Sequence, residues 1–307
     1  MGKIAIILAY YDGAKYLDLL LESIFNQTYD DFKIFIFDDN SPVPLTKDKL
    51  QLTKYEKSKI KIHNRKKNLG FSNNFLNGLS MIDSKFSFYS FCDQDDIWDI
   101  DKLKRGIAAL KSLPIDKPAL YGTKTLHINE AGKNIIGKSI NIKKELSFQN
   151  ALLQNFAGGN TMLFNFAAKE LIISSMRNIK PVSHDWWVYI MVAGNGGNIL
   201  YDKKPSLLYR QHNNNLMGSN KTFIGKLIRL IKLFDNTFKN YIRSNLESLN
   251  ENLDLLTEEN LIVFNYFCRA RRSNLFLRIF FYLKSGVYRQ NISGHIMFFI
   301  LVVFNRI

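Results

Sequence analysis

An aromatic, apolar run from Phe86 to Phe91 leads directly into Cys92-Asp93-Gln94-Asp95-Asp96-Ile97-Trp98. The run reads as a buried strand, and carboxylates at its exit are too costly to desolvate as bare anions. They must face solvent, bases or a metal. Asp93 and Asp95 flank a single residue, so in an extended or turning backbone their oxygens can point the same way. That is the hard-anion arrangement Mg²⁺ or Mn²⁺ prefers when diphosphate oxygens and water complete the octahedron. Asp96 adds a further acceptor. An acidic turn followed by a helix cap is the plainer account of the same residues, and the rest of the chain decides between the two.

The stretch before it alternates strand and helix patterns. Ile4 to Tyr10 is a continuous apolar run, as in a central parallel strand covered on both faces. Asp12 and Gly13 then open a helix whose apolar positions Tyr16, Leu17, Leu20, Leu21, Ile24 and Phe25 recur at helical spacing. A second strand, Ile34 to Phe37, ends in Asp38-Asp39-Asn40-Ser41-Pro42. A polar helix is expected around Leu45 to Lys57, then a short strand Ile60 to His63, the segment Asn64-Arg65-Lys66-Lys67-Asn68-Leu69-Gly70-Phe71-Ser72, and a helix through Phe75 and Leu79.

This is the pattern of a doubly wound α/β sheet, whose ligands sit beyond the carboxyl ends of the strands. Asp38 with Asp39, Arg65 with Lys66 and Lys67, and Asp93 to Asp96 would converge on one crevice. No Gly-x-Gly-x-x-Gly follows the first strand and no Walker phosphate loop is present, so neither of those nucleotide fingerprints applies.

In the second half, Asn155-Phe156-Ala157-Gly158-Gly159-Asn160-Thr161 precedes an expected strand, Met162 to Phe166. Gly158 and Gly159 either let backbone amides approach a ligand or make a plain turn. Ser183-His184-Asp185-Trp186-Trp187 carries two indoles beside an acid. Indole faces stack on pyranose rings while a carboxylate hydrogen-bonds hydroxyls; Ser183 capping a helix is the alternative. Tyr209-Arg210-Gln211-His212 closes this region, with His212 either a ligand or a structural histidine.

Lys+Arg number 42 against Asp+Glu 27, a net charge of +15 that favours anionic partners. Hydrophobic content of 46% with local periodicity excludes disorder. Cys92 and Cys268 sit in apolar surroundings and read as free thiols, which fits a reducing compartment. Met1 to Tyr10 lacks the layout of a secretory signal, and the apolar run Ile296 to Phe304 is too short to span a bilayer. From Thr222 a helical stripe runs through Ile224, Leu227, Ile228, Ile231, Phe234, Phe238, Ile242, Leu249 and Leu253. Asn265 to Ile307 holds seven Arg and Lys residues and no acid, a composition suited to a helix on an anionic membrane or to a solvated basic face.

Ile4 to Trp98 resembles the nucleotide-binding half of a family 2 glycosyltransferase of the GT-A fold. The resemblance rests on the apolar first strand, Asp-Asp-Asn-Ser after the second, Asn-Leu-Gly-Phe before a helix, and Cys-Asp-Gln-Asp-Asp-Ile-Trp. It is nearest the bacterial surface-polysaccharide branch that includes rhamnosyltransferases. It implies a mixed α/β sheet flanked by helices as the catalytic domain, residues 1–220, followed by a basic amphipathic helical region, 221–307.

By that resemblance Tyr10 lines the base pocket, Asp38 or Asp39 meets the base or ribose, and Arg65 lies near the nucleotide. Asp95 is the main ligand for Mn²⁺ or Mg²⁺, Asp93 reaches the ribose or metal-bound water, and His212 completes the metal or diphosphate site. Gly158, Gly159 and Asn160 belong to a donor-sugar loop. Asp96, Trp98, His184, Trp186 and Trp187 face sugar or acceptor, and Asp185 is the general base. The implied reaction is an inverting transfer from a nucleoside-diphosphate sugar, dTDP-rhamnose first and UDP-glucose or UDP-galactose next, to a lipid-linked oligosaccharide of O-antigen or capsule. The implied place is the cytoplasmic face of the plasma membrane, held peripherally by the C-terminal region. Nucleic acid is not an expected partner, because the acidic strand exits repel phosphates unless metal is bound.

Overall fold

The computed structural model describes residues 2–211 and 237–307. His212, the stripe positions from Ile224 to Phe234 and the boundary expected at residue 220 lie outside those residues. The chain divides into two compact units. The first comprises the residues up to Asn141, Ala157–Ser174 and the segment from Gly197; the second comprises Ile142–Phe156, Ser175–Gly196 and the C-terminal segment.

Among its described residues the first unit carries a seven-stranded sheet. Strands β1 (Ile4–Tyr10), β2 (Phe32–Asp38), β3 (Ile60–Asn64) and β4 (Phe88–Cys92) run parallel in the order β3-β2-β1-β4. Their carboxyl ends therefore share one edge. Beyond β4 come β9 (Leu163–Asn165), β6 (Ala119–Thr123) and β10 (Asn198–Asp202), with β9 antiparallel to both neighbours and β10 parallel to β6. A smaller sheet has the order β5 (Ile97–Trp98), β11 (Leu207–Arg210), β7 (Leu126–Ile128), β8 (Ile135–Lys138).

Helices cover both faces of the large sheet, which is why β1 is apolar at every position. Ile4, Ile6, Leu8 and Tyr10 pack in one core with Leu17, Leu20, Leu21 and Ile24 of α1 (Ala14–Phe25) and Leu103, Ile107 and Leu110 of α4 (Lys102–Lys111). The opposite face is aromatic. Phe75 of α3 (Phe71–Ser80) meets Phe91 edge-on with ring centroids 5.2 Å apart, and Tyr89 stacks on Phe164 at 5.8 Å.

The polar helix expected around Leu45 to Lys57 is instead a 3₁₀ turn, Lys47–Lys49, and a short helix α2, Lys54–Ser58. Two local preferences break it. Leu50 is extended and buried, so it leaves the helical path to enter the core. Thr53 then starts a new helix with a capping box: its side chain accepts from Glu56 N at 3.3 Å while its own N donates to Glu56 Oε2 at 2.7 Å.

The second unit holds α5 (Phe148–Ala151), α7 (His184–Gly194; α6 is Phe166–Ser174 of the first unit) and the helices Thr237–Asn250, Glu258–Arg272, Leu275–Ser285 and Ile292–Val303. Helix α7 is apolar all round and is buried from Trp186 onward. Its last carbonyls, which have no partner within the helix, accept from outside it: Gly194 O takes Thr257 N at 3.0 Å and Asn260 Nδ2 at 3.0 Å. Gln290 joins distant segments of the unit. Its Oε1 accepts from Lys143 N and Lys144 N, and its Nε2 donates to Asn150 Oδ1 at 3.1 Å. Among the described residues no helix is long and apolar enough to cross a membrane.

Candidate active site

The carboxyl edge of the parallel strands is tied together by the acids that the sequence placed there. Tyr10 ends β1 in register with Asp38, and Asp39 N donates to Tyr10 O at 2.8 Å. Asp38 is buried, with Oδ1 accepting from Ser41 N and Oδ2 from Leu45 N, each at 2.9 Å. Asp39 is equally buried and accepts from Leu69 N at 2.8 Å and Gly70 N at 2.9 Å. Both carboxylates thus fix the loops that wall this edge. Arg65 follows β3 and is fixed in turn: Nε donates to Asn74 Oδ1 and Nη1 to Asn77 Oδ1, both at 2.6 Å, with the guanidinium 5.2 Å from the Phe37 ring centre.

After β4 the chain turns through Asp93, Gln94 and Asp95. Gln94 Oε1 accepts from Tyr11 N at 2.8 Å and Nε2 donates to Tyr11 O at 3.1 Å. The approach is so close that a Cβ on Gly13 would lie 2.2 Å from the Gln94 amide, so this position admits only glycine without rearrangement. Arg210, 2% exposed, braces the turn from the other side, donating from Nε to Asp95 O at 3.0 Å and from Nη1 to Glu130 O at 2.8 Å.

Asp96 has no exposed surface. Its Oδ2 accepts from Asn160 Nδ2 at 2.5 Å, and its Oδ1 has no hydrogen-bond partner. Burial, reinforced by Asp93 and Asp95, pushes the Asp96 carboxyl well above its ordinary range, against the pull of the Asn160 amide. Asn160 also ties in Lys102, whose Nζ donates to Asn160 O at 2.5 Å and lies 4.1 Å from the Trp98 ring centre. Burial pushes Lys102 down to about 8, while Cys92 and Asp96 oppose the shift. Gly158 accepts the Thr161 amide and hydroxyl on its carbonyl, and a Cβ there would lie 2.7 Å from Asn160 Oδ1. Gly158 and Gly159 therefore set the turn that delivers Asn160.

Two of the expected sugar contacts are corrected by burial. Asp96 and Trp98, at 0% and 4% exposure, form the floor of the acidic turn and offer no open face. Asp93 and Asp95 are half-buried. Among the described residues no group of three or more His, Cys, Asp or Glu is arranged to hold a metal. The residues nevertheless fit Mg²⁺ or Mn²⁺, which bind through one or two carboxylates and take other oxygens from phosphates and water. Asp93 and Asp95, half-buried and flanking one residue, supply two such carboxylates, and the crowding of three acids at this turn favours a nearby cation.

The remaining expected residues lie in the second unit. Ser183 precedes α7, and its hydroxyl donates to Asp185 Oδ1 at 2.5 Å instead of capping the helix. The same oxygen accepts from Trp186 N at 2.7 Å, which leaves Asp185 half-buried at the helix start. His184 is buried, and burial pushes its imidazole down to about 4, so it is neutral at ordinary pH. Trp187 is fully buried, with Nε1 donating to Ser175 Oγ at 3.0 Å; Trp186 is 6% exposed and donates to Ala151 O at 2.7 Å. Stacking on sugar, expected of both indoles, gives way to a core role.

Gln94, Lys102 and Arg210 were not singled out from the sequence. Lys102 left a signal: with Leu103, Gly106, Ile107 and Leu110 it lies on the buried stripe of α4, where a lysine needs a partner. Gln94 and Arg210 left none, because their partners are main-chain atoms remote in sequence.

The model of the glycosyl transferase family 2 domain matches residues 5–172. The chain belongs to this family. As a family 2 glycosyltransferase it is 28% identical over 235 residues to the dTDP-rhamnosyl transferase RfbG of Shigella flexneri, covering 73% of this chain and 78% of that protein. It is also 29% identical over 117 residues to the succinoglycan biosynthesis protein ExoW of Rhizobium meliloti, covering 38% and 36% respectively. Among solved structures, S. aureus TarS 1-349 in complex with UDP-GlcNAc aligns with a TM-score of 0.54 at 15% identity over 93% of each chain, a likeness of fold. The mixed sheet flanked by helices is thus a GT-A-like fold in an enzyme of the glycosyltransferase class.

Proposed function

We propose that this glycosyltransferase moves a sugar, with inversion, from a nucleoside-diphosphate donor to a lipid-linked oligosaccharide during surface-polysaccharide synthesis. The observation that carries the reading is the acidic turn at the carboxyl end of β4, where Asp93, Asp95 and Asp96 crowd together on the edge shared by β1, β2 and β3. The name of the Shigella flexneri relative favours dTDP-rhamnose as donor.

In this reading Tyr10 and the loops fixed by Asp38, Asp39 and Arg65 wall the nucleotide site. Asp93 and Asp95 would hold Mn²⁺ or Mg²⁺, which would supply positive charge against the departing diphosphate. Gln94 and Arg210 keep the turn in place, and Asn160 sets the loop beside it. Asp185 takes the proton from the acceptor hydroxyl as that oxygen attacks the anomeric carbon. The bond to the diphosphate breaks on the opposite face, so configuration inverts. The C-terminal basic helices hold the enzyme at the inner face of the membrane.

Thermal denaturation with a panel of sugar nucleotides, with and without Mn²⁺, tests the donor half, because a ligand that binds only the folded state raises the melting point by mass action. A shift with thymidine-diphosphate sugars that needs the metal and is lost in Asp95→Asn is the expected result. No shift with any nucleotide would overturn it.

A further inference from the structure

Within the second unit a cavity of about 420 Å³ is lined by Lys239 and Arg243 of the helix Thr237–Asn250 and by Arg271 and Arg272 of the helix Glu258–Arg272, with Glu247 and Glu251 also on its wall. The acids do not neutralise it. Arg243 lies 3.8 Å from Glu247 in an exposed pair, which contributes little. Arg271 has its Nε buried without a hydrogen-bond partner. Lys239 is held down by burial and then by the charges of Arg271, Arg306, Arg278 and Arg243. Cations gathered this way repel one another until an anion enters, and guanidinium forks match phosphate oxygens in number and plane.

The chain leaving this cavity is apolar and open. Only Ser273 and Asn274 separate Arg272 from Leu275-Phe276-Leu277, and Asn274 caps the next helix by accepting from Leu277 N at 3.2 Å. Phe276 is 84% exposed, Phe280 50% and Leu283 66%. Their spacing puts all three on one face of the helix Leu275–Ser285. A large, exposed aromatic face next in the chain to a basic cavity is the layout of an interfacial helix with its headgroup site.

We infer that the cavity between Lys239, Arg243, Arg271 and Arg272 binds the phosphate of an anionic phospholipid, while Phe276, Phe280 and Leu283 enter the acyl layer beside it. The inference rests on the membrane-surface part of the function proposed above and not on the donor. It departs from a diffuse basic patch in naming one site. Arg278, though part of the same basic stretch, is excluded from it: the guanidinium is buried and donates to Val302 O and Val303 O, closing the end of the helix Ile292–Val303.

The test is sedimentation of the full chain with phosphatidylcholine vesicles, with and without phosphatidylglycerol. The unaltered protein should sediment with the anionic vesicles only. Arg271→Gln with Arg272→Gln should weaken that binding by roughly tenfold or more, at about 1 kcal/mol per basic residue near an anionic surface. Phe276→Ser, an exposed change that leaves folding intact, should weaken it too. Lys104→Gln with Lys111→Gln removes the same charge from the exposed side of α4 and should change nothing. Equal losses in both double variants would show a general charge effect and overturn the site. Stabilisation by inorganic phosphate alone, with Phe276→Ser binding vesicles normally, would mean a free-phosphate site and overturn the lipid assignment. Nucleotide-induced stabilisation, measured on the same variants, should be unaltered, so failure of the lipid site and failure of the donor reading are read separately.

Discussion

Gln94 and Tyr11 are joined by two hydrogen bonds between the side-chain amide of one and the main chain of the other, at 2.8 and 3.1 Å, across 83 residues of sequence. The pair locks the loop after β1 to the acidic turn after β4. Gly13 makes the approach possible, since any Cβ there would overlap the Gln94 amide. Gly13→Ala should therefore displace Gln94 and loosen the turn that carries Asp93 and Asp95. The expected result is donor affinity lowered by about tenfold, with a melting point close to that of the unaltered protein; a hydrogen bond of this kind contributes about 1 kcal/mol. Titration calorimetry with the donor checks it, and unchanged affinity would show that the Gln94–Tyr11 pair has no bearing on the site.

Asp185→Asn keeps the shape of the side chain and removes its basicity. Turnover should fall by about 10²-fold or more, the usual contribution of general base catalysis, while the donor continues to bind. Single-turnover measurement of transfer separates the two effects. Normal turnover in this variant would remove Asp185 from the mechanism.

Lys102 joins α4 to the Asn160 loop through a buried hydrogen bond. Lys102→Met preserves most of the volume and deletes the charge, leaving Asn160 O without its donor and Asp96 without a nearby cation. Unfolding in urea should show a loss of about 1–3 kcal/mol. A variant as stable as the parent would mean that the bond adds nothing net.

His184 sets a pH dependence whose sign follows from its environment. Burial holds the folded imidazole at about 4 against 6.5 for the free side chain. Between those values the unfolded chain binds more protons, so stability falls as pH drops through that window and is fully present above it. The loss amounts to about 3 kcal/mol once the pH is below both values. His184→Gln should flatten the dependence of unfolding free energy on pH between about 4 and 6.5. The same slope in both proteins would assign the acid sensitivity to other groups.

The parallel half of the sheet was legible because β1, β2 and β4 are largely apolar on both faces and end at charged or polar residues that have no place in a core. Asp38, Asp39 and Asp93 to Asp96 announced the edge, but their individual roles were not readable from residue type. Asp38 and Asp39 accept backbone amides from their loops, a pairing that depends on where the chain turns back. The tryptophans misled for a related reason. An indole can stack on a sugar or fill a core, and the apolar run after Trp187 was the cue for the second role. Likewise the polar helix after β2 was lost to the capping box at Thr53, a local preference stronger than the weak helical pattern around it.

The proposed reaction is transfer of a sugar from a nucleoside diphosphate by way of the acidic turn after β4. The most direct measurement is release of nucleoside diphosphate from dTDP-rhamnose and from UDP-sugars, in the presence of Mn²⁺ and of lipid extract bearing acceptor, by the unaltered protein and by Asp95→Asn. Acceptor-dependent release of thymidine diphosphate, falling by orders of magnitude in the variant, is the expected result. Release at the same rate by Asp95→Asn, or no release from any sugar nucleotide, would contradict it.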